Sequence, residues 1–185
     1  MNPEIEFREK FKPDYTGMNL TELAFCEMED HYGKQQIYKL DLITPPEKGD
    51  KPRPVVFFVH GGGFAQPCDK RQAYISMFAR TLTAAGYAVV SPDYPIYDDS
   101  DQFHAVGDEK VAYTKAGEAV HLAYQYIVEH AGELDLDPER IAIMGGSAGG
   151  MAAFYGIGCY PDRYRAFVNL WGVPEVTPCP RRYPP

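Results

Sequence analysis

Four short runs, residues 55–59, 87–90, 141–144 and 166–170, are apolar at nearly every position and are separated by longer mixed segments. A strand that is apolar on both sides needs cover on both faces, which a parallel sheet flanked by helices supplies. The intervening stretches 71–85, 109–131 and 148–159 have helical length, and Gly86 and Gly132 stand where helices stop. Asp137-Pro138-Glu139 predicts a tight turn feeding the third run.

Ahead of this region the grammar differs. Residues 23–28 and 36–43 flank Asp30-His31-Tyr32-Gly33, and the second stretch alternates polar with apolar, which predicts an antiparallel, half-buried hairpin. Pro45, Pro46, Gly49, Asp50, Pro52 and Pro54 then mark a surface connection. Residues 1–20 read as an N-terminal arm on the outside of the domain. The expected architecture is α/β, a mostly parallel sheet with an N-terminal antiparallel hairpin and helices on both faces. At 185 residues with 45% hydrophobic content, one domain spanning 1–185 accounts for the whole chain.

Charge and cysteine usage narrow the function classes. A net charge of −8 without a Lys/Arg cluster argues against a nucleic-acid partner. No stretch reaches the roughly 18 apolar residues of a membrane span, and the first residues lack a basic start and an apolar core, so a cytoplasmic location is expected. Cys26, Cys68, Cys159 and Cys179 are far apart without metal-ligand spacing and read as ordinary thiols, with no metal and no cofactor implied.

Two motifs carry chemistry. Gly145-Gly146-Ser147-Ala148-Gly149 follows the run 141–144, and small neighbours there let a strand turn sharply into a helix with a serine hydroxyl at the bend. His60-Gly61-Gly62-Gly63-Phe64 follows the run 55–59, and a glycine loop lets backbone N–H groups reach a developing oxyanion. The amide of Ala148, at the head of the new helix, adds a donor and the helix dipole. Together they describe an acyl-transfer site.

With Val89-Val90-Ser91-Pro92-Asp93-Tyr94 and Asp137-Pro138-Glu139-Arg140-Ile141-Ala142 in the same order and spacing, the chain resembles the α/β-hydrolase superfamily. Within it the likeness is to hormone-sensitive-lipase-like esterases, carboxylesterases and acetyl esterases. The resemblance implies that Ser147 is the nucleophile and that Gly62 and Gly63 with Ala148 form the oxyanion hole. It further implies that His60 and Gly61 support the loop, His60 as a brace and not as a base. Where many relatives carry arginine after the Asp-Tyr pair, this chain has Pro95, and Asp93 reads as a structural aspartate.

In this fold the triad runs serine, acid, histidine. No histidine follows Ser147, and the acids there are Asp162 and Glu175, neither suited to the role. His31, His121 and His130 read as structural, and His104 as a solvated loop residue that could approach a substrate mouth. The expectation is a chain truncated before its Asp and His, with C-terminal strands missing and the edge 167–171 open to a copy of itself or to a complementing C-terminal segment. The expected function is hydrolysis of carboxylic esters of small or medium acyl groups through an acyl-enzyme on Ser147. The alternative is an inactive pseudo-hydrolase or fragment that binds a ligand or partner. Phe64, Tyr94, Tyr97, Phe103 and Tyr155 either line a pocket or pack the core.

Overall fold

The computed structural model describes residues 12–98 and 109–172. Strands β1 (Asn19–Glu29) and β2 (Gln35–Thr44) form the expected antiparallel hairpin. β3 (Arg53–Val59), β4 (Ala88–Pro92), β5 (Leu136–Gly146) and β6 (Ala166–Leu170) arise from the four apolar runs: β3 and β5 are longer than their runs, β4 starts one residue later and ends two later, and β6 has the same bounds. They join in one six-stranded sheet of order β1-β2-β4-β3-β5-β6. β3 runs parallel to β4 and β5, β5 parallel to β6, and β2 antiparallel to β4.

Helix α1 (Ala73–Ala84) covers one face, where Ile75 and Ala79 meet Ile43, Val56, Phe58 and Val89. Helices α2 (Glu109–Glu129) and α3 (Ala148–Cys159) cover the other. α2 buries Ala112, Ala116, Ala119, Ala123 and Ile127, the stripe of a helix with 3.6 residues per turn. α3 is helical on small residues: Ala148, Gly149, Gly150, Ala152, Ala153 and Gly156 are buried, so its axis lies close to the sheet. Of the N-terminal segment, Tyr15 and Met18 pack against the α1 face and Arg80 holds Asp14 at 2.7 Å.

Two expectations change. Residues 137–139 lie inside β5, not in a turn before it. The turn chemistry persists all the same: Asp137 Oδ1 accepts from the Glu139 amide at 2.9 Å, and the register jumps from Leu136 opposite Arg53 to Ile141 opposite Val55. The strand thus absorbs the turn as a bulge. Cys159 is disulfide-bonded, which corrects the reading of four ordinary thiols, whereas Cys26 and Cys68 form no disulfide. Cys179 lies outside the described residues.

Candidate active site

β3 and β5 are neighbours and parallel, so the segments leaving their C-terminal ends emerge side by side. That adjacency brings the two glycine motifs together. A Cβ on Gly61 would stand 2.6 Å from the Gly146 carbonyl oxygen and 3.2 Å from Ser147 Cβ.

Ser147 sits between β5 and α3 with φ 53° and ψ −124°, a strained conformation for a residue with a side chain, and its side chain is exposed. The bend is tight because of what flanks it. A Cβ on Gly145 would collide with the Gly149 backbone, and one on Gly149 with the carbonyls of Val59 and His60. Ser147 N–H donates to Leu170 O at the end of β6 (3.0 Å), and the Ser147 carbonyl accepts from Gly150 and Met151. Ala148 is the first residue of α3, where N–H groups have no partner within the helix.

The glycine loop turns through the left-handed region, with φ 120° at Gly62, 63° at Gly63 and 58° at Phe64. Gly62 and Gly63 are exposed, and among the described residues no hydrogen bond occupies their amides. Gly61 is different: its N–H donates to the Tyr74 hydroxyl at 2.6 Å, and its carbonyl accepts from Gln72 Nε2 and His60 Nδ1, both at 3.0 Å. His60 is 1% exposed and stacked on Tyr94 at 4.1 Å, and Tyr94 donates to the His60 carbonyl at 2.6 Å. Burial holds the His60 imidazole below its ordinary pKa, so it is neutral. It is built into the core beneath the loop.

Beyond the glycines the chain is pinned three more times. Tyr97 N–H donates to Phe64 O and Gln66 N–H to Tyr97 O, a short parallel bridge. Asp93 accepts from the Lys70 amide (3.0 Å) and Lys70 Nζ (2.5 Å), so its partner here is a lysine upstream. The fully buried Asp41 takes Arg71 Nε and Nη2 in a two-pronged pair at 2.6 and 2.9 Å. Sequence reasoning missed Asp41, Lys70, Arg71, Gln72 and Tyr74, and no local motif signals them.

The remaining candidates have other partners. His31 Nε2 donates to Pro95 O, His130 Nδ1 donates to Tyr126 O, and His121 stacks on Tyr160 at 3.7 Å. Asp162 is exposed in a short 3-10 turn, Pro161–Arg163. His104, Phe103 and Glu175 lie outside the described residues. Phe64, Tyr94 and Tyr97 are buried, and Tyr155 packs against the same core cluster beside Tyr113, so the core reading of these aromatics holds. A groove of about 390 Å³ lined by Asp30, Tyr38, Asp69, Asp93 and Tyr94 does not include Ser147. Among the described residues no cluster of His, Cys, Asp or Glu could hold a metal, and no helix is long and apolar enough to cross a membrane.

Residues 40–160 match the BD-FAE family. Hormone-sensitive lipase of Bos taurus is 30% identical over 116 residues, which cover 62% of this chain and 14% of that protein. Gut esterase 1 of Caenorhabditis briggsae is 30% identical over 118 residues, covering 64% of this chain and 20% of the relative. The chain therefore spans a small part of these relatives' length. Among solved structures, a bacterial heroin esterase superimposes with a TM-score of 0.58 at 26% identity, over 84% of this chain and 45% of that one. Esterase Est22 gives a TM-score of 0.64 at 20% identity, over 89% and 47%, a likeness of fold. The fold is the α/β-hydrolase fold.

Proposed function

The chain belongs to the BD-FAE family, esterases of the α/β-hydrolase fold related to hormone-sensitive lipase, and on that footing we propose that it hydrolyses small or medium carboxylic esters through an acyl-enzyme on Ser147. The observation that carries this reading is the exposed, strained serine set against a glycine loop with two unoccupied amides. Ser147 Oγ attacks the ester carbonyl, and the amides of Gly62, Gly63 and Ala148 take the negative oxygen. The base of the triad takes the hydroxyl proton and returns it to the departing alcohol as the ester C–O bond breaks, and water, deprotonated in the same way, then cleaves the acyl-enzyme to the free acid and restores the Ser147 hydroxyl. Each such donor is worth roughly 3–4 kcal/mol in comparable sites.

The acid and base of the triad are not among these 185 residues on this reading, since no histidine follows Ser147 and the described histidines are engaged elsewhere. A complementing C-terminal segment supplies them by docking on β6. In support, β6 pairs with β5 alone among the described strands, and Val168 and Trp171 are 45% and 66% exposed there. A dispersed monomer in size-exclusion chromatography with that segment added counts against docking, and a dimer of this chain alone substitutes self-association.

The cytoplasmic location rests on the sequence alone.

The test is labelling with a fluorophosphonate, read as mass added on Ser147. Wild type labels slowly alone and faster with the complementing segment, and Ser147→Ala does not label. Label that survives Ser147→Ala, or no label in either form, sinks the reading. An inactive pseudo-hydrolase is favoured by the same lack of a downstream histidine, and ester binding with no turnover in the complemented form selects it. Without triad partners, the hole alone leaves about 10³–10⁴-fold acceleration over water.

A further inference from the structure

We infer that Tyr74 and Gln72 are positioning residues for the oxyanion loop: from the entry to α1 they grip the Gly61 peptide at both ends and leave the next two amides open. The inference rests on Ser147 acting as proposed. Three successive glycines have no side chains with which to fix their own path, and glycine has the most backbone freedom to lose. Donors that must meet an oxyanion have to be placed within about 0.5 Å, so something outside the loop has to hold it.

The grip is complete at Gly61 and stops there. The N–H goes to Tyr74 at 2.6 Å, and the carbonyl receives Gln72 Nε2 and His60 Nδ1 at 3.0 Å each. Gly61 is thereby removed as a competing donor. Gln72 Oε1 is buried with no partner, and turning the amide over would set that oxygen against the Gly61 carbonyl, so only the observed orientation is attractive. Cys68 closes the other side, with its Sγ where a Gly62 Cβ would stand.

Tyr74 also reaches the elbow. Its ring packs on Phe58 (5.6 Å) and meets Trp171 edge-on (6.2 Å), and the Trp171 ring lies 3.3 Å from the position of a Gly146 Cβ. Tyr74 thus touches the loop through its hydroxyl and is linked to the elbow by way of the Trp171 ring. Burial pushes the Tyr74 hydroxyl up to about 12, so it stays a neutral acceptor at ordinary pH.

Binding of two probes separates positioning from mere structure. Phenylboronic acid forms a tetrahedral adduct on a serine and needs the hole, whereas benzamide is planar and does not. Tyr74→Phe and Gln72→Ala each weaken boronate binding about tenfold, less than the roughly 10²–10³ of losing a donor outright, and leave benzamide within about twofold. Amide exchange at Gly61 to Gly63, followed by NMR, accelerates in both. Unchanged boronate affinity, or equal losses for both probes, overturns the inference. If Tyr74→Phe fails to fold, Gln72→Ala carries the same test. A wild-type chain that forms no boronate adduct by ¹¹B NMR sinks the serine reading and this inference with it, whereas wild-type binding that both variants retain sinks the inference alone.

Discussion

The serine elbow and the glycine loop leave adjacent parallel strands, yet they are held by opposite means. The elbow is backbone against backbone: Ser147 makes no side-chain cap, its N–H pairs with Leu170 O, and Gly145 and Gly149 admit no Cβ. The loop is held by side chains borrowed from other elements, Tyr74 and Gln72 at the start of α1, Tyr94 after β4, and Asp41 on β2 through Arg71. The elbow therefore tolerates changes of chemistry but not of size. The loop tolerates neither loss of a distant hydroxyl nor loss of a distant carboxylate.

Size is the sharpest way to break the elbow. Gly149→Val drives a side chain into the Val59 and His60 carbonyls and destabilises the fold by about 3 kcal/mol or more, read as a lower urea midpoint. A remote carboxylate is the corresponding lever on the loop. Asp41→Asn keeps the volume but loses the two-pronged pair with Arg71, and costs about 2 kcal/mol, below the figure for a fully buried pair because the Arg71 side chain is 42% exposed. Exchange at the Gly61 to Gly63 amides rises in this variant although position 41 lies on a different strand.

Relieving strain works in the opposite direction. Ser147→Gly accepts φ 53° and ψ −124° without a Cβ and stabilises the chain by about 1 kcal/mol while abolishing the label, measured by urea unfolding and mass. A Tyr74→Phe variant shows no such gain.

The smallest effect is on pH. Burial holds the folded imidazoles of His60 and His121 below 6.5, His121 at about 4 with Arg163 adding to the effect. The unfolded chain takes these protons first as pH falls. Stability is therefore full above about pH 6.5 and declines from there toward the folded values, by up to about 1.4 kcal/mol per group per pH unit. Urea midpoints at pH 7.5 and 5 check this, and His121→Gln flattens part of the slope.

Both motifs were legible in the sequence because each is local. A strand, a small-residue turn and a helix head lie within a dozen positions, so Gly145 to Gly149 declares itself. The same holds for His60 to Phe64 after β3. The loop's supports were not legible: Asp41 lies thirty positions from Arg71, and Tyr74 differs in no local way from the other tyrosines of the chain. The bulge at 137–140 was half legible, since Asp137 turns the backbone as expected but pairing with β3 carries the strand through it.

By itself the sequence determined the elements, the two faces of the sheet and the two turns, because hydrophobic period and glycine placement act over a few residues. Which strands are neighbours, and hence that Ser147 faces the glycine loop, only the tertiary structure decided. So too for Gly61, whose amide is taken by Tyr74. Pairing between distant segments depends on register and packing summed over the whole sheet, and no short stretch of chain carries that information.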